Sequence, residues 1–500
     1  MPFNSYPFLL VFLPLVVAGN IWLLRRQGRR AAMVFLILAS LLFYGWWNPR
    51  YLGLLGLSVL GNFALGRALS AGRARSGRAS RGLLVLGVGA NLALLAYFKY
   101  GAFIADIAEL TLLRRWFAHV VLPLGISFIT FQKIAYLVDA YRGETAEHDF
   151  LEFCCFVLFF PQLVAGPIAH HSEIIPQLQR DSPRFDLDEV CRGLSLLSFG
   201  LFKKVVIADQ VAVYASQMFD AAALGRAPDL VQAWGGTLSY GLQLYFDFSG
   251  YSDMAIGLGW LFGIKLPSNF DSPYQASSMV EFWRRWHITL SRFLRDYVYI
   301  PLGGNRHGAP RRYGNVLLTM TLGGLWHGAS WTFVAWGALH GLYLVVNHGF
   351  RAVSRGWSWP QSPRLVPGYR LLTLVAVSVA WVLFRAPSFA CARTVWAGMA
   401  GLHGASLPAD LAMSFVQLFA VKAQFAKLLF PSAGLVWLAI LLPVVLFAPN
   451  ALALTSRADT PSGPRLRWAP SALWATLTAV ALVISLMSVH HVVRFVYFQF

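Results

Sequence analysis

The chain has 500 residues, of which 57% are hydrophobic and only 13% are charged. This composition excludes a disordered chain, which needs few apolar residues and many charges, and it is not that of a set of soluble domains. Four cysteines without zinc or redox spacing also exclude a disulfide-rich scaffold. The composition indicates a protein embedded in a lipid bilayer.

The formal net charge of +19 would suggest a nucleic-acid partner for a soluble protein. Here no nucleic-acid partner is expected, because the arginines gather at the ends of apolar stretches. Short arginine-rich loops between membrane spans stay on the cytoplasmic side. The first loop carries Arg25, Arg26, Arg29 and Arg30, and the second carries Arg67, Arg73, Arg75, Arg78 and Arg81.

Three apolar spans fit this orientation, at about 8–24, 31–47 and 51–65. They place the N-terminus outside, both arginine loops inside, and Trp46 and Trp47 at the outer interface, where tryptophan is favoured. The first span is not expected to be a cleaved signal peptide, because its positive charges follow the apolar segment.

Further apolar stretches occur at about 83–112, 120–138, 150–166, 193–214, 233–264, 315–348, 369–384, 433–449 and 471–489. With a span of roughly 20 residues, we expect about eleven crossings. The spans should be helices, because a backbone in lipid must satisfy its own hydrogen bonds and the alternation of a barrel is missing. We therefore predict an all-α polytopic membrane protein with one domain over 1–500, divided into N-terminal helices (1–115), a core (116–350) and C-terminal helices (351–500).

Polar residues interrupt the apolar sequence mainly between about 240 and 348. The first interruption, at 245–253, places Asp247, Tyr251 and Asp253 inside an apolar span. A charge at membrane depth costs about 2.5–3.5 kcal/mol on insertion scales, so it usually has a partner or faces a cavity. Two interpretations remain open: ion pairs with arginines that lock helices together, or a direct role at a site.

The second interruption, at 281–296, has helical spacing and two faces. We predict an amphipathic helix too polar to cross the membrane, lying at an interface or lining an inward funnel. One stripe of this helix holds Trp283, His287, Leu290 and Leu294, and the i,i+4 pairs are Glu281–Arg285 and Arg292–Asp296. His287 should face the apolar or cavity side, where a structural histidine is the common alternative to a functional one.

The third interruption, at 322–331, holds His327 among glycines and other small residues. Small residues permit close approach of a neighbouring helix or of a slender substrate. A buried neutral imidazole can accept a proton, so His327 is a candidate general base, with a hydrogen-bonded structural histidine as the alternative. His340 is a weaker instance of the same pattern. The histidine pairs at 170–171 and 490–491 lack a convincing ligand set, so no metal site is expected.

Several segments together resemble the membrane-bound O-acyltransferase superfamily, and within it the bacterial branch that acetylates polysaccharides such as alginate. The core segments are YFDFSGYSD (245–253), EFWRRWH (281–287), DY (296–297), LGGNR (302–306) and GGLWHG (323–328). Outside the core, LPLGISF (122–128), VAGP (164–167), WVLFRA (381–386) and YFQF (497–500) are similar to the same branch. The resemblance covers nearly the whole chain.

The resemblance implies transfer of an acetyl group from cytoplasmic acetyl-CoA, a substrate and not a tightly bound cofactor, toward an acceptor at the outer face. His327 corresponds to the histidine regarded as catalytic in the superfamily, acting as a base on the acceptor hydroxyl or carrying the acyl group. His287 occupies the first of the superfamily's two positions, ahead of His327 in the chain, and would orient the thioester or stabilise its oxyanion.

Other residues are expected to support this site. Candidates for the substrate channel are Asp247, Tyr251, Asp253, Trp283, Trp286, Trp326, Ser291 and His340. Arginine binds phosphate in a fixed geometry, so the arginines of the second interruption are candidates for the phosphates of coenzyme A. These are Arg284, Arg285, Arg292 and Arg295.

The resemblance also implies surroundings and partners: the lipid of a bacterial inner membrane, a polysaccharide acceptor reached indirectly, and a separate periplasmic esterase or transferase of the SGNH type. The segment GPIAHHSE (166–173) is closer to relatives that act on other polymers, so acetylated cellulose, another exopolysaccharide and peptidoglycan stay open beside alginate. From a different class, a flippase or transporter with a buried polar path, or a scaffold of an export complex, is the alternative.

Overall fold

The regular secondary structure is entirely helical wherever the chain is described. The structure, a computed structural model, describes residues 1–76, 79–145, 149–180, 186–357, 362–406, 431–456 and 467–489. Within these ranges no β-strand occurs, which confirms the prediction of an all-α protein. Arg78, the histidine pair at 490–491 and the motif at 497–500 lie outside the described residues.

The helices of the first half are α1 (Leu13–Arg26), α2 (Arg29–Gly45), α3 (Tyr51–Ser76), α4 (Arg81–Leu95), α5 (Gly101–Ile107), α6 (Thr111–Phe117), α7 (Ile126–Arg142), α8 (Phe150–Leu158), α9 (Phe160–Leu163), α10 (His171–Leu178) and α11 (Leu187–Phe202). The second half holds α12 (Asp209–Ala223), α13 (Leu230–Leu261), α14 (Met279–Arg285), α15 (Ile288–Leu294), α16 (Gly308–His327), α17 (Trp331–Val353), α18 (Val366–Arg385), α19 (Phe389–Met399), α20 (Ser432–Phe447), α21 (Ala451–Leu454) and α22 (Ala472–Ser488). Short π-helical segments extend some of them, at Pro7–Phe12, Ala96–Tyr100, Lys203–Ala208 and Arg295–Tyr299.

Several helices are suited to cross a membrane. Within the described ranges, four helical stretches are long and apolar enough to do so, namely Pro7–Arg26, Tyr51–Arg73, Arg81–Ile107 and Pro363–Arg385. Two shorter apolar helices, Ser432–Phe447 and Ala472–Ser488, accompany them. Other helices carry polar residues that are buried inside the protein. The expected total of about eleven crossings stays a prediction.

The molecule has two ends of different character. At the basic end, Arg29 donates to the carbonyl of Leu178 and Arg73 donates to the carbonyl of Tyr141, so both arginine loops lie beside neighbouring helix ends. At the opposite end, which we call the tryptophan end, Trp47 lies near residues 1–4 and 121–125 around one cavity. The chain reverses between these ends as the charge pattern predicts.

Helix α13 forms the centre of the fold. It has 32 residues, about 48 Å at 1.5 Å per residue, and most of its length is buried. A Cβ atom on Gly250 would lie 2.7 Å from the carbonyl oxygen of Gly200, and one on Gly257 would lie 2.6 Å from that of Gly193. Only glycine permits this approach, so α11 and α13 touch backbone to backbone.

Helices α16 and α17 cross in the same way. A Cβ atom on Gly324 would lie 2.3 Å from the carbonyl oxygen of Phe333, and one on Gly337 would lie 2.3 Å from that of Met320. This crossing fixes the last turn of α16, which carries His327.

The helix predicted over 281–296 is not continuous. Helix α14 ends at Arg285 and α15 begins at Ile288, and His287 between them has φ 44° and ψ 53°. The predicted pair Glu281–Arg285 is confirmed, with 2.9 Å between Oε1 and Nη2.

The predicted pair between Arg292 and Asp296 is wrong. Arg292 forms two hydrogen bonds with Glu173 of α10, and Asp296 binds Arg295. The two carboxylate oxygens of Glu173 accept from the two terminal nitrogens of Arg292, so this pair is bidentate. The chain also changes to a π-helical segment at Arg295, which alters the i,i+4 spacing on which the prediction relied.

Candidate active site

His327 is the last residue of α16, and its position is fixed by the end of that helix. The final carbonyls of a helix have no partner within it. Lys99 donates from Nζ to the carbonyls of Trp326 (2.5 Å) and His327 (3.0 Å), and the hydroxyl of Tyr100 donates to that of Leu325 (2.9 Å). A cation at a helix C-terminus is also favourable electrostatically. Lys99 and Tyr100 therefore hold the turn that carries His327.

His287 is held by the break between α14 and α15. Its left-handed backbone is uncommon for a residue with a side chain and costs about 1–3 kcal/mol, so its surroundings must enforce it. Asn269 supplies two contacts at the break. Its side-chain oxygen lies 3.1 Å from His287 Nδ1, and its backbone carbonyl accepts the N–H of Ile288 at 3.0 Å.

The two histidines are neighbours. Their ring centroids are 6.3 Å apart, and their exposed fractions are 0% for His287 and 3% for His327. One small reacting group could therefore contact both rings. Aromatic rings enclose His327 closely, with centroids at 5.0 Å (Trp326), 5.1 Å (Trp336) and 5.2 Å (Phe384).

A cavity of about 640 Å³ connects His327 with the tryptophan end. Its walls include Trp47, Lys99 and Tyr251, together with residues 1–4 and 121–128. Tyr251, predicted to line a channel, does line this cavity and stacks on Phe3 at 4.9 Å. His327 can therefore be reached from the tryptophan end.

Asp247 and Asp253 form buried ion pairs with lysines, whereas the interpretation from the sequence named arginines. Lys204 Nζ lies 2.8 Å from Asp247 and 2.8 Å from Asp209, and Lys203 Nζ lies 2.6 Å from Asp253. These pairs join α13 to the segment that follows α11, so they stabilise helix packing. Lys204 also lines the cavity, so the first of these networks borders the path to His327.

The other predicted channel residues lie in the aromatic layer around the histidines. The indole N–H of Trp283 donates to His340 Nδ1 at 3.2 Å, and the His340 ring lies 4.7 Å from that of Trp336. Trp286 stacks on Phe282 at 5.6 Å. The backbone N–H of Ser291 donates to the carbonyl of His287 at 3.0 Å.

The four candidate arginines for coenzyme A are placed differently from one another. Three of them already pair with carboxylates, and Arg284 is exposed. Burial would raise the pKa of Glu173, but the hydrogen bonds from Arg292 and from the His170 N–H outweigh it and hold that pKa below its usual value. The pairs are Arg285–Glu281, Arg292–Glu173 and Arg295–Asp296.

The sequence reasoning missed Asn269 and Lys99. Lys99 did carry a signal, because a lysine within the apolar stretch 83–112 needs a buried partner. Asn269 carried none, because it lies in an irregular segment whose sequence has no periodic pattern. A third missed residue, Trp336, is one of several tryptophans in α17 and in the segments that pack on it.

Two buried histidines, a cavity that reaches one of them and a bundle of membrane helices are the features expected of a membrane-embedded enzyme for group transfer. The comparison with protein families agrees, since the model of the MBOAT, membrane-bound O-acyltransferase family matches residues 89–391. The chain belongs to the membrane-bound O-acyltransferase family and is an O-acyltransferase.

Individual relatives cover most of the chain. A peptidoglycan O-acetyltransferase of Helicobacter pylori is 42% identical over 434 residues, which is 81% of this chain and 81% of the relative. A probable alginate O-acetylase of Pseudomonas putida is 43% identical over 405 residues, 80% of each chain. A teichoic acid D-alanyltransferase of Bacillus subtilis is 28% identical over 302 residues, 56% of this chain and 73% of the relative. These likenesses favour the enzyme over the transporter and scaffold alternatives.

Proposed function

We propose that this protein moves an acetyl group from cytoplasmic acetyl-CoA across the bacterial inner membrane for O-acetylation of a polysaccharide outside it. His327 is the catalytic residue in this proposal, and His287 is its partner. The observation that carries the proposal is the pair of buried imidazoles 6.3 Å apart with a cavity that reaches His327 from the tryptophan end.

A small acyl group suits the space around His327. The centroids of three aromatic rings lie about 5 Å from that of the imidazole, and these rings narrow the space directly beside it to that of a small group. The relatives named as O-acetyltransferases also favour acetyl. Acetyl-CoA should therefore turn over much faster than octanoyl-CoA, and equal rates with the two donors would contradict the small pocket.

The chemistry needs one proton transfer and one exchange of bonds. The acceptor hydroxyl loses its proton to the histidine pair, its oxygen forms a bond to the acyl carbon, and the carbon–sulfur bond breaks. Coenzyme A leaves as a thiolate and takes up the proton. Both imidazoles are buried, and burial strengthens each polar interaction in this step.

Coenzyme A would bind at the basic end. Arg284 is exposed and is the candidate for its phosphates, because Arg285, Arg292 and Arg295 already pair with carboxylates. Arg284→Ala should raise the KM for acetyl-CoA and leave kcat nearly unchanged. The matched control is the exposed Arg393→Ala, and an equal KM in both variants would count against this assignment.

The acceptor would enter from the tryptophan end. A cavity of about 640 Å³ can admit one side chain or sugar unit, so delivery through a serine of a separate periplasmic protein of the SGNH type is compatible with it. Relatives act on peptidoglycan or alginate by name, so the proposed acceptor polymer is a cell-wall or secreted glycan.

The test is polymer acetylation in cells that carry His327→Ala as the only copy, at equal membrane abundance. We expect acetylation to be lost with this variant and retained with the control His403→Ala, which changes an exposed histidine bound to the Pro228 carbonyl. Purified protein with labelled acetyl-CoA, partner and acceptor should release coenzyme A. Acetylation that persists with His327→Ala would overturn the proposal.

A further inference from the structure

The orientation of the Asn269 side chain is determined by its neighbours. Thr289 Oγ accepts a hydrogen bond from the backbone N–H of Ile168 at 3.1 Å. Its own hydroxyl hydrogen is therefore available for Asn269, whose Oδ1 lies 2.9 Å away, and the N–H of Thr289 reaches the same oxygen at 3.4 Å. On its other side, Asn269 Nδ2 donates to Ser252 of α13 at 3.2 Å. The amide oxygen must then face His287.

This orientation decides which nitrogen of His287 carries the hydrogen. An amide oxygen can only accept, so the contact of 3.1 Å with His287 Nδ1 requires a hydrogen on Nδ1. In the neutral imidazole the other nitrogen, Nε2, then carries a lone pair. A neutral His287 of this form cannot donate a hydrogen bond from Nε2 to an oxyanion, the role that the resemblance implied.

We propose that Asn269 is a positioning residue that holds His287 as the Nδ1–H tautomer, so that His287 Nε2 works as a proton acceptor during acyl transfer. This inference rests on the proposed function. The proton that leaves the acceptor hydroxyl is taken up by the histidine pair, with Nε2 of His287 as one acceptor, and it returns to the departing thiolate of coenzyme A.

The backbone supports the same assignment. Asn269 uses its carbonyl and its side chain together to satisfy groups that the break at His287 leaves without helical partners. Strain of this kind is common where a side chain must be aimed for function. The titratable groups that face His287 are His327 at the end of α16 and, beyond it, Lys99 and His340.

The test compares Asn269→Asp with Asn269→Leu. A carboxylate still accepts from Nδ1–H, but it stabilises the imidazolium, so the acid limb of the pH–rate profile should move up by about one pH unit or more. At alkaline pH the rate of Asn269→Asp should recover to within about threefold of the rate of the unaltered protein. Asn269→Leu cannot fix the tautomer, so its rate should be lower by about tenfold or more at every pH. Such a loss is expected when an imidazole loses its orienting partner.

The control is Asn91→Leu, which removes a buried asparagine paired with Asn62 between α3 and α4. Asn91→Leu should lower the stability of the protein without shifting its pH–rate profile. An unshifted profile for Asn269→Asp, or equal losses at all pH values in both Asn269 variants, would show a merely structural role and overturn the inference.

A second readout separates this inference from the proposed function. Nitrogen-15 NMR of membranes containing the unaltered protein, with the His287 signals assigned by difference from His287→Gln, should show the hydrogen on Nδ1. A hydrogen on Nε2 refutes the inference whatever the activity. If the tautomer is as expected but acetyl-CoA is not consumed in the presence of partner and acceptor, the proposed function fails and the assignment of Asn269 as the orienting residue stands.

Discussion

Replacing Lys204 by methionine should be the most destabilising charge change in the described core. The ammonium of Lys204 lies 2.8 Å from carboxylate oxygens of both Asp209 and Asp247, and the exposed side-chain fractions of the three residues are 4%, 8% and 1%. Lys204→Met leaves two buried carboxylates without their shared cation.

The size of the effect follows from this count of charges. Breaking a buried ion pair by removing one partner costs about 3–5 kcal/mol, because an uncompensated charge is left behind. We expect a loss of that order for Lys204→Met. Asp247→Asn leaves one lysine and one aspartate, so it should cost much less. The triple variant that also carries Asp209→Asn and Asp247→Asn has no charge in the site and should recover most of the loss.

The assay is thermal unfolding of purified protein in detergent, with membrane abundance at matched expression as a second measurement. The expected order of stability places Lys204→Met lowest, the triple variant above it, and Asp247→Asn closest to the unaltered protein. A single variant Lys204→Met as stable as the unaltered protein, or a triple variant no better than the single one, would refute the argument from charge balance.

Three further outcomes follow from individual contacts. Gly324→Leu should prevent the α16–α17 crossing and abolish activity, because a Cβ atom there meets a carbonyl oxygen at 2.3 Å. The control is Gly314→Leu in the same helix, where a Cβ atom meets nothing within 4 Å. Measurements of activity and membrane abundance should show that this control variant is tolerated. Lys99→Met should lower turnover about tenfold or more while unfolding shows a loss of only about 1–3 kcal/mol, since helix-end carbonyls lose their donor; unchanged turnover would contradict this role. The pKa of Glu173 is held low, so the stability that its pair with Arg292 provides is present above the ordinary glutamate pKa of about 4.3 and is lost as pH falls through the lowered value. Arg292→Ala should remove this acid-dependent step from unfolding measured against pH, and a step of equal size in both proteins would contradict the assignment.

The sequence was sufficient for the class of fold, and it singled out two histidines whose rings lie 6.3 Å apart in the structure. Apolar runs with arginine-rich ends predict membrane helices, and His327 stands out because its neighbours are small and apolar. Ion pairs of Asp247 and Asp253 were one of the two interpretations of the sequence, but the partners are lysines and the interpretation named arginines. Lys203 and Lys204 are more than 40 residues away along the chain, and only the packing of α11 on α13 brings them together.

The break at His287 could not be predicted from residue spacing. The segment 281–296 has the periodicity of one amphipathic helix, and local propensity offers no reason to interrupt it. The interruption is imposed by tertiary contacts, since the backbone of Asn269 accepts the N–H of Ile288 and that of Asp271 donates to the carbonyl of Arg285. The periodic pattern of one segment carries no information about its contacts with another segment, and here those contacts decide the local structure.

The two histidines are therefore held by separate sets of hydrogen bonds. His327 is held by a lysine that binds the end of its helix, and His287 by an asparagine that binds the break in its own. In both cases the hydrogen bonds go to backbone or ring atoms, in surroundings where a buried polar group without a partner is costly. A site built this way is already organised before substrate arrives, so binding energy need not be used to order it. The hydrogen bonds that Lys99 and Asn269 make to the two histidine segments offset the cost of placing a half-buried lysine and a buried asparagine in an apolar protein.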